Sequence, residues 1–391
     1  MTSSLHIAFV MYNDFRANSA IQVHHFANHL AALGCRCDIL VPKNLDTCRT
    51  HIGGEICYTP WLYSDYLQDC PENAPPDIIH AWTPREVVRR QVEKMRQRWP
   101  SARLVIDLED NEELVTSAQL GLSIQQLRAM SLPELDDLIP ESLSHPLRSS
   151  ELMETAAGFT IIMDTLESFL PPCKPRHVLW PVCNRTHFFP REKDENLMGR
   201  LGLSSEEFIL CYIGNVHAAN WREVRSLYIA LALARRQGIP AVLLRAGRDF
   251  HPFLHDDGDW VRACVVPLGM VSNREIPELL ALADLLVQPG RPDPFNDYRL
   301  PSKLPEFFAM AKPVVLPRTN LGRFVQSGKE AFVTERGDAL EILGHIKAAR
   351  ERPDLYAAVG RAGALFVQEN FEGQSIARKL LAFYISLLRN G

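Results

Sequence analysis

Four residues within eight positions have the types needed to bind an anion and a sugar together: Arg299, Ser302, Lys303 and Glu306. They lie in Pro289-Gly-Arg-Pro-Asp-Pro-Phe-Asn-Asp-Tyr-Arg-Leu-Pro-Ser-Lys-Leu-Pro-Glu-Phe-Phe-Ala-Met-Ala-Lys-Pro-Val-Val315. The stretch reads as a Pro-rich loop to Tyr298, a helix opening at Ser302 and a short strand from Pro313 to Leu316. Serine is a favoured N-cap, and Pro305 falls in the first turn, where a missing N–H costs nothing. Unpaired N–H groups around Ser302 to Leu304, the positive end of the helix dipole, and the flanking Arg299 and Lys303 would receive a phosphate or diphosphate. Glu306, less than a turn further on, is placed to reach a sugar hydroxyl beside it. The simpler alternative is a solvated helix face on which Lys303 and Glu306 form an i,i+3 ion pair.

The elements that would position these residues follow from the rest of the chain. At 391 residues it is too long for one ordinary core, so two domains are expected. Hydrophobic content of 46% and charged content of 23% are those of a globular protein. A net charge of -5 argues against a nucleic-acid binder. The nine cysteines have no disulfide or metal-ligand spacing, which points to reduced thiols and a cytoplasmic protein. The opening Met-Thr-Ser-Ser-Leu-His has no basic region followed by an apolar stretch, and no run nears 18 apolar residues, so neither a signal peptide nor a membrane span is expected.

Apolar runs that read as buried parallel strands alternate with helical patterns throughout. In the first half the strands are His6 to Tyr12, Cys37 to Val41, Ile56 to Thr59, Asp77 to His80, Leu104 to Leu108 and Ala157 to Met163. Helices are expected from Ser19 to Leu33 and Pro84 to Arg98, with an acidic helical insertion from Glu112 to Ala157. In the second half, strands at Phe208 to Ile213, Ala241 to Leu244, Val265 to Leu268 and Leu285 to Gln288 alternate with helices, and three helices follow Thr334. Ligands of such sheets sit beyond the carboxyl ends of the strands. His80 and the run Glu109-Asp110-Asn111-Glu112 occupy such ends, with capping of the next helix as the alternative role for the loop acid.

Other motifs are weaker. No G-x-G-x-x-G follows a strand, which disfavours a dehydrogenase. Gly322 and Gly328-Lys329 imitate a phosphate loop with the wrong spacing, and Asp257-Gly-Asp259 has a D-x-D spacing in a polar connection. From Arg85 to Arg103, seven basic residues face two acids. A solvated helix face is one reading of that stretch and peripheral contact with an anionic membrane is the other.

The pattern R-x-P-S-K-x-x-E-F-x-A-M-x-K-P-V-V from Arg299 to Val315 resembles the C-terminal signature of retaining, nucleotide-sugar-dependent glycosyltransferases of family 4 (group 1), which have the GT-B fold. Gly269-Met-Val-Ser272 and the run from Trp180 to Pro190 resemble the family's G-x-V loop and interdomain linker. The resemblance implies an α/β protein of two Rossmann-like domains facing across a cleft: 1–184 on the acceptor side, 185–370 binding the nucleotide-sugar, and 371–391 a helix crossing back to the first. It implies a donor site of Gly214, Asn215, Arg248, Val271, Ser302, Leu304 and Glu306, an acceptor side of His80, Arg85 and Asp110, and catalytic roles for Glu306, Lys303, Arg299 and Asp110. The nucleotide-sugar is then a co-substrate, and no cofactor or metal is required. The acceptor would be a glycan, a lipid-linked sugar or a small molecule, at a cytoplasmic site or the inner membrane face. Two departures stand out: no Arg or Lys occurs in Gly214-Asn-Val-His-Ala-Ala-Asn220, and Tyr298 replaces the first glutamate of the family's pair, eight residues before Glu306. Arg222 and Arg248, with Arg299 and Lys303, are the residues that would restore the missing charge. A GT-B protein that binds without transferring, and a sugar-nucleotide 2-epimerase, are the alternatives.

Overall fold

The computed structural model describes residues 4–52, 54–70, 75–254 and 258–389. The opening Met1 to Ser3 and Asp257 of the D-x-D pair lie outside the described residues. The chain divides into two compact units, Met1–Val182 with Glu372–Gly391, and Cys183–Phe371.

The first unit runs β1 (His6–Met11), α1 (Asn18–Ala32), β2 (Arg36–Val41), β3 (Thr59–Leu62), α2 (Tyr63–Asp69), β4 (Ile78–Trp82), α3 (Glu86–Arg98) and β5 (Arg103–Leu108). Then come α4 (Glu112–Leu120), α5 (Ile124–Ala129), α6 (Leu132–Leu138), α7 (Pro146–Glu154), β6 (Gly158–Ile161) and β7 (Arg176–Val178). The seven strands are parallel in the order β3-β2-β1-β4-β5-β6-β7, so the winding reverses between β1 and β4. The strand expected at Ile56 to Thr59 lies further on, at Thr59–Leu62. It is the sheet edge, where Pro60 is tolerated because one side of the strand needs no ladder donor. The expected helical insertion consists of four helices, closed around Leu127, Leu135, Ile139 and Leu143.

The second unit contains α8 (Glu195–Arg200), β8 (Phe208–Ile213), α9 (Trp221–Arg236), β9 (Ala241–Ala246), α10 (Gly258–Arg262), β10 (Val265–Gly269), α11 (Ile276–Leu282) and β11 (Leu285–Val287). It continues through α12 (Lys303–Ala309), β12 (Val314–Pro317), β13 (Phe332–Thr334), α13 (Ala339–Glu351) and α14 (Pro353–Asn370). Its six parallel strands are ordered β10-β9-β8-β11-β12-β13, reversing between β8 and β11. Both units are therefore Rossmann-like.

The last helix, α15 (Gly373–Arg389), belongs to the first unit. Ile376, Leu380, Tyr384 and Leu387 join Phe9, Phe26 and Leu30 in its core. A Cβ on Gly158 would lie 2.9 Å from the Phe383 ring, so a larger residue there would make the side chains of α15 shift.

Tyr384 also explains a correction. The sequence places His80 at a strand end, but β4 continues to Trp82 and the imidazole is fully buried. The Thr160 hydroxyl donates to Asp107, so His80 Nε2 donates to Thr160 (2.9 Å) and Nδ1 accepts from the Tyr384 hydroxyl (2.7 Å). Burial holds the ring neutral, with its pKa lowered to about 3. His80 thus ties α15 to the sheet and cannot line an acceptor site.

The basic stretch is also engaged differently. Arg85 pairs with Glu112, Arg89 with Glu86 and Glu93, and Arg90 with Glu141, while Arg98 donates to the Leu67 and Cys70 carbonyls. Three of the seven basic side chains are thus paired with carboxylates, while the hydrogen bonds of Arg98 to carbonyls leave its charge in place. Among the described residues no helix is long and apolar enough to cross a membrane.

Tyr384→Phe leaves a buried imidazole nitrogen without its donor. Urea denaturation is expected to show a loss of about 1–3 kcal/mol.

Candidate functional site

At the switch point of the second sheet, β8 ends in Tyr212 and Ile213 and the chain turns through Gly214. Lys303, the first residue of α12, extends its amine to the Ile213 carbonyl (3.0 Å) and over the Tyr212 ring (4.3 Å to its centroid). No ion pair joins it to Glu306, so the simple i,i+3 pair is not what forms. The Glu306 carboxyl, partly exposed, has no hydrogen-bond partner among the described residues.

Two further cations converge on the same place. Arg245, the buried charge of β9, sits opposite Tyr212 in the parallel ladder, with its guanidinium 5.2 Å from the ring centroid. It donates to Asp249 (2.8 Å). Arg299 lies over Phe295, at 3.9 Å. Burial, then Arg299 and Arg245, push the Lys303 amine down to about 7, while Glu306 pulls the other way. Burial raises Glu306 to about 8 against the pull of Lys303. His217, in the loop after β8, is lowered by burial and by Arg299 and Lys303. Three basic side chains, with the Glu306 and Asp249 carboxyls beside them, give this place the chemistry to attract a multiply charged anion.

Backbone contacts hold the loops close enough for this. Gly214 N–H donates to the Ala246 carbonyl (3.0 Å), Gly247 N–H to Gly269 (2.7 Å) and Val216 N–H to Arg248 (2.8 Å). A Cβ on Gly247, whose φ is +121°, would lie 2.3 Å from the Gly214 oxygen. One on Gly214 would lie 2.9 Å from Lys303 Nζ.

The expected donor residues fare unevenly. Gly214, Lys303, Arg299 and Glu306 are brought together, as above. Asn215, itself exposed, links the two loops, its side chain accepting from the Arg248 N–H (2.9 Å). Arg248 stands exposed on the same edge, and Val271 follows β10 there. Arg222 does not join the cluster, since it stacks on its neighbour Trp221 (4.9 Å). Ser302 precedes α12 but is already helical and makes no side-chain cap. The reason is local: Pro305, at the third helical position, has no N–H to donate. The Leu304 N–H is spent on the Pro301 carbonyl (3.0 Å), so Leu304 offers no donor to a phosphate. With α12 only seven residues long, side-chain charge outweighs the helix end.

Sequence reasoning missed Arg245, although a lone arginine inside Ala-Val-Leu-Leu-Arg-Ala was the signal, because charged residues are rarely buried without a task.

A second polar cluster occupies the carboxyl edge of the first sheet. Arg85 lies over the Tyr12 ring (4.0 Å) and donates twice to Glu112 (3.1 Å each), whose carboxylate also accepts from Ser144 (2.7 Å). Glu109 accepts from Ser19 at the start of α1, and burial raises its pKa. Asn111, not Asp110, caps α4 through the Leu114 N–H (3.0 Å), so Asp110 is not the cap and sits partly exposed at this edge. Glu109, which the sequence reading placed at this strand end without a role, is held here by Ser19.

Residues 207–351 match the family model described as Glycosyl transferases group 1. The match lies wholly within the second unit. No curated protein matches the chain significantly. Among solved structures, a glycosyltransferase from Rickettsia africae is similar, with a TM-score of 0.70, 14% identity and 100% of each chain covered. HepE from Anabaena, solved with UDP and glucose, has a TM-score of 0.67 at 15% identity, covering 96% of this chain and 98% of its own. Sucrose-phosphate synthase from Thermosynechococcus elongatus has a TM-score of 0.64 at 16% identity, covering 99% and 100%. The fold is GT-B: two Rossmann-like units and a C-terminal helix that returns to the first.

Gly247→Ala forces a side chain into a left-handed backbone and against Gly214. Chemical denaturation is expected to show a loss of at least about 1 kcal/mol, together with weakened anion binding.

Proposed function

We propose that this chain is a glycosyltransferase that takes a sugar from a nucleotide-sugar and transfers it with retention at the anomeric carbon. The observation that carries this reading is the cluster of Lys303, Arg245 and Arg299 at the β8–β11 switch point, next to Glu306. A diphosphate matches it in charge. As the bond between sugar and diphosphate breaks, negative charge grows on the leaving oxygen, and fixed cations in a water-poor site stabilise it. Glu306 would orient the ribose, and the G-x-V loop at Val271 would face the base. Transfer of this kind needs no metal ion. UDP is the first nucleotide to test, because HepE was solved with it.

The acceptor is assigned to the carboxyl edge of the first sheet, where Arg85, Glu109 and Asp110 lie. Its chemistry, a glycan, a lipid-linked sugar or a small molecule, is left to a substrate screen. All nine cysteines are free, which fits action in a reducing cytoplasm. A second reading, binding without transfer, is favoured by Tyr298 where the resemblance puts a glutamate. Detectable transfer from any donor ends it.

Calorimetric titration with UDP, GDP and ADP is expected to give base-selective binding that Glu306→Ala weakens about tenfold and the double change Arg299→Ala, Lys303→Ala abolishes. Unaltered affinity in the double variant would sink the assignment.

The same titration has a predictable pH dependence. The Lys303 amine titrates near 7, so it is charged below that pH and neutral above it. The terminal phosphate is already ionised above about 6. Affinity is therefore highest at pH 7 and below, and falls by up to about tenfold per unit from 7 to 9, with proton uptake on binding. Ionisation of Glu306 near 8 acts in the same direction, and Glu306→Gln isolates the Lys303 part.

A further inference from the structure

Tyr212 is 1% exposed, yet both faces of the anion site's electrostatics depend on where its ring lies. Lys303 Nζ stands 4.3 Å from the ring centroid and the Arg245 guanidinium 5.2 Å. The two cations come from different elements, α12 and β9. What they share is this ring, and on the Lys303 side the approach is close: a Cβ added at Gly214 would meet both Lys303 Nζ and the Tyr212 hydroxyl. A ring face carries the negative part of its quadrupole, and its attraction for a cation is strongest where water is excluded.

The alternative partner for Lys303 is close by. Glu306 follows three residues later on the same helix, a spacing at which Lys and Glu ordinarily meet. In this structure the amine instead takes the ring and the Ile213 carbonyl, and the carboxyl is left without it. A Lys303–Glu306 pair would neutralise itself and present little charge to an anion.

We propose that Tyr212 is a positioning residue of the diphosphate site: its ring holds Lys303 and Arg245 facing the anion and keeps Lys303 from collapsing onto Glu306. The inference rests on the donor-site reading above and adds the device that keeps its cations available. The titratable and charged groups facing Lys303 are Cys211 and Tyr212 on β8, His217 after it, Arg245 on β9, Arg299 before α12 and Glu306 on α12.

The test compares wild type, Tyr212→Leu and Tyr212→Phe by titration with UDP and with inorganic pyrophosphate between pH 6 and 9. Tyr212→Leu is expected to weaken both ligands roughly tenfold to hundredfold. It should also move the midpoint of the pH-dependent loss of affinity upward, because Lys303 then pairs with Glu306 and holds its proton longer. Tyr212→Phe keeps the ring face and is expected to restore binding and the midpoint. Wild-type affinity in Tyr212→Leu, weaker affinity with an unmoved midpoint, or an upward shift that persists when Tyr212→Leu is combined with Glu306→Gln would overturn the proposal, since water entering the void relieves the burial of the amine without any help from Glu306. A direct titration of Lys303 by carbon-13 NMR of labelled lysine supplies the second readout. If wild type binds neither ligand, the donor-site reading falls, and the NMR titration still decides Tyr212: an unmoved Lys303 midpoint in Tyr212→Leu rejects it.

Discussion

Like charges brought together away from water repel, and the site at the end of β8 exists only because the surrounding structure holds Lys303, Arg245 and Arg299 against that repulsion. Two of the three rest on the Tyr212 ring, Asp249 holds one guanidinium, and the Ile213 carbonyl holds the amine. The amine responds to the remaining repulsion by weakening its hold on a proton. On the proposed reading, an incoming anion would relieve the repulsion, restore the amine's charge and so bind to a place already shaped for it.

That arrangement needs close backbone approach, and the parallel sheet supplies it. Reversal of the winding at β8 and β11 parts the loops on either side and opens the carboxyl edge there. Gly214 and Gly247 then allow the loops after β8 and β9 to touch, with their amides satisfied by neighbouring carbonyls. The same logic recurs at the edge of the first sheet, where Arg85, Glu109 and Glu112 gather beside its own switch point. There one guanidinium faces two carboxyls, in contrast to the cationic excess of the second unit.

The first unit solves a different problem, that of fastening the C-terminal helix. Apolar residues of α15 fill the core, and the chain Tyr384, His80, Thr160, Asp107 fixes its register, because buried polar groups tolerate few alternative partners. Asp107 is driven strongly toward its protonated form by burial and by Glu109, so the network holds no bare charge at its deepest point.

Much of this was written in the sequence. The apolar runs, their alternation with helical periods and the loop between Pro289 and Ser302 determined two parallel-sheet units and named Arg299, Lys303 and Glu306, since period and turn chemistry are local properties. What the tertiary structure alone decided was which side chains meet. His80 reads as a strand end until Ala81 and Trp82 extend β4 and Tyr384, 304 residues away, claims its ring. Ser302 reads as a cap until Pro301 takes the Leu304 N–H. Lys303 and Glu306 have the spacing of a pair, and only the register that sets Tyr212 opposite Arg245 shows why the amine goes elsewhere. Local pattern fixes the direction of a backbone, whereas the partner of a long charged side chain is set by the competition among every group within its reach.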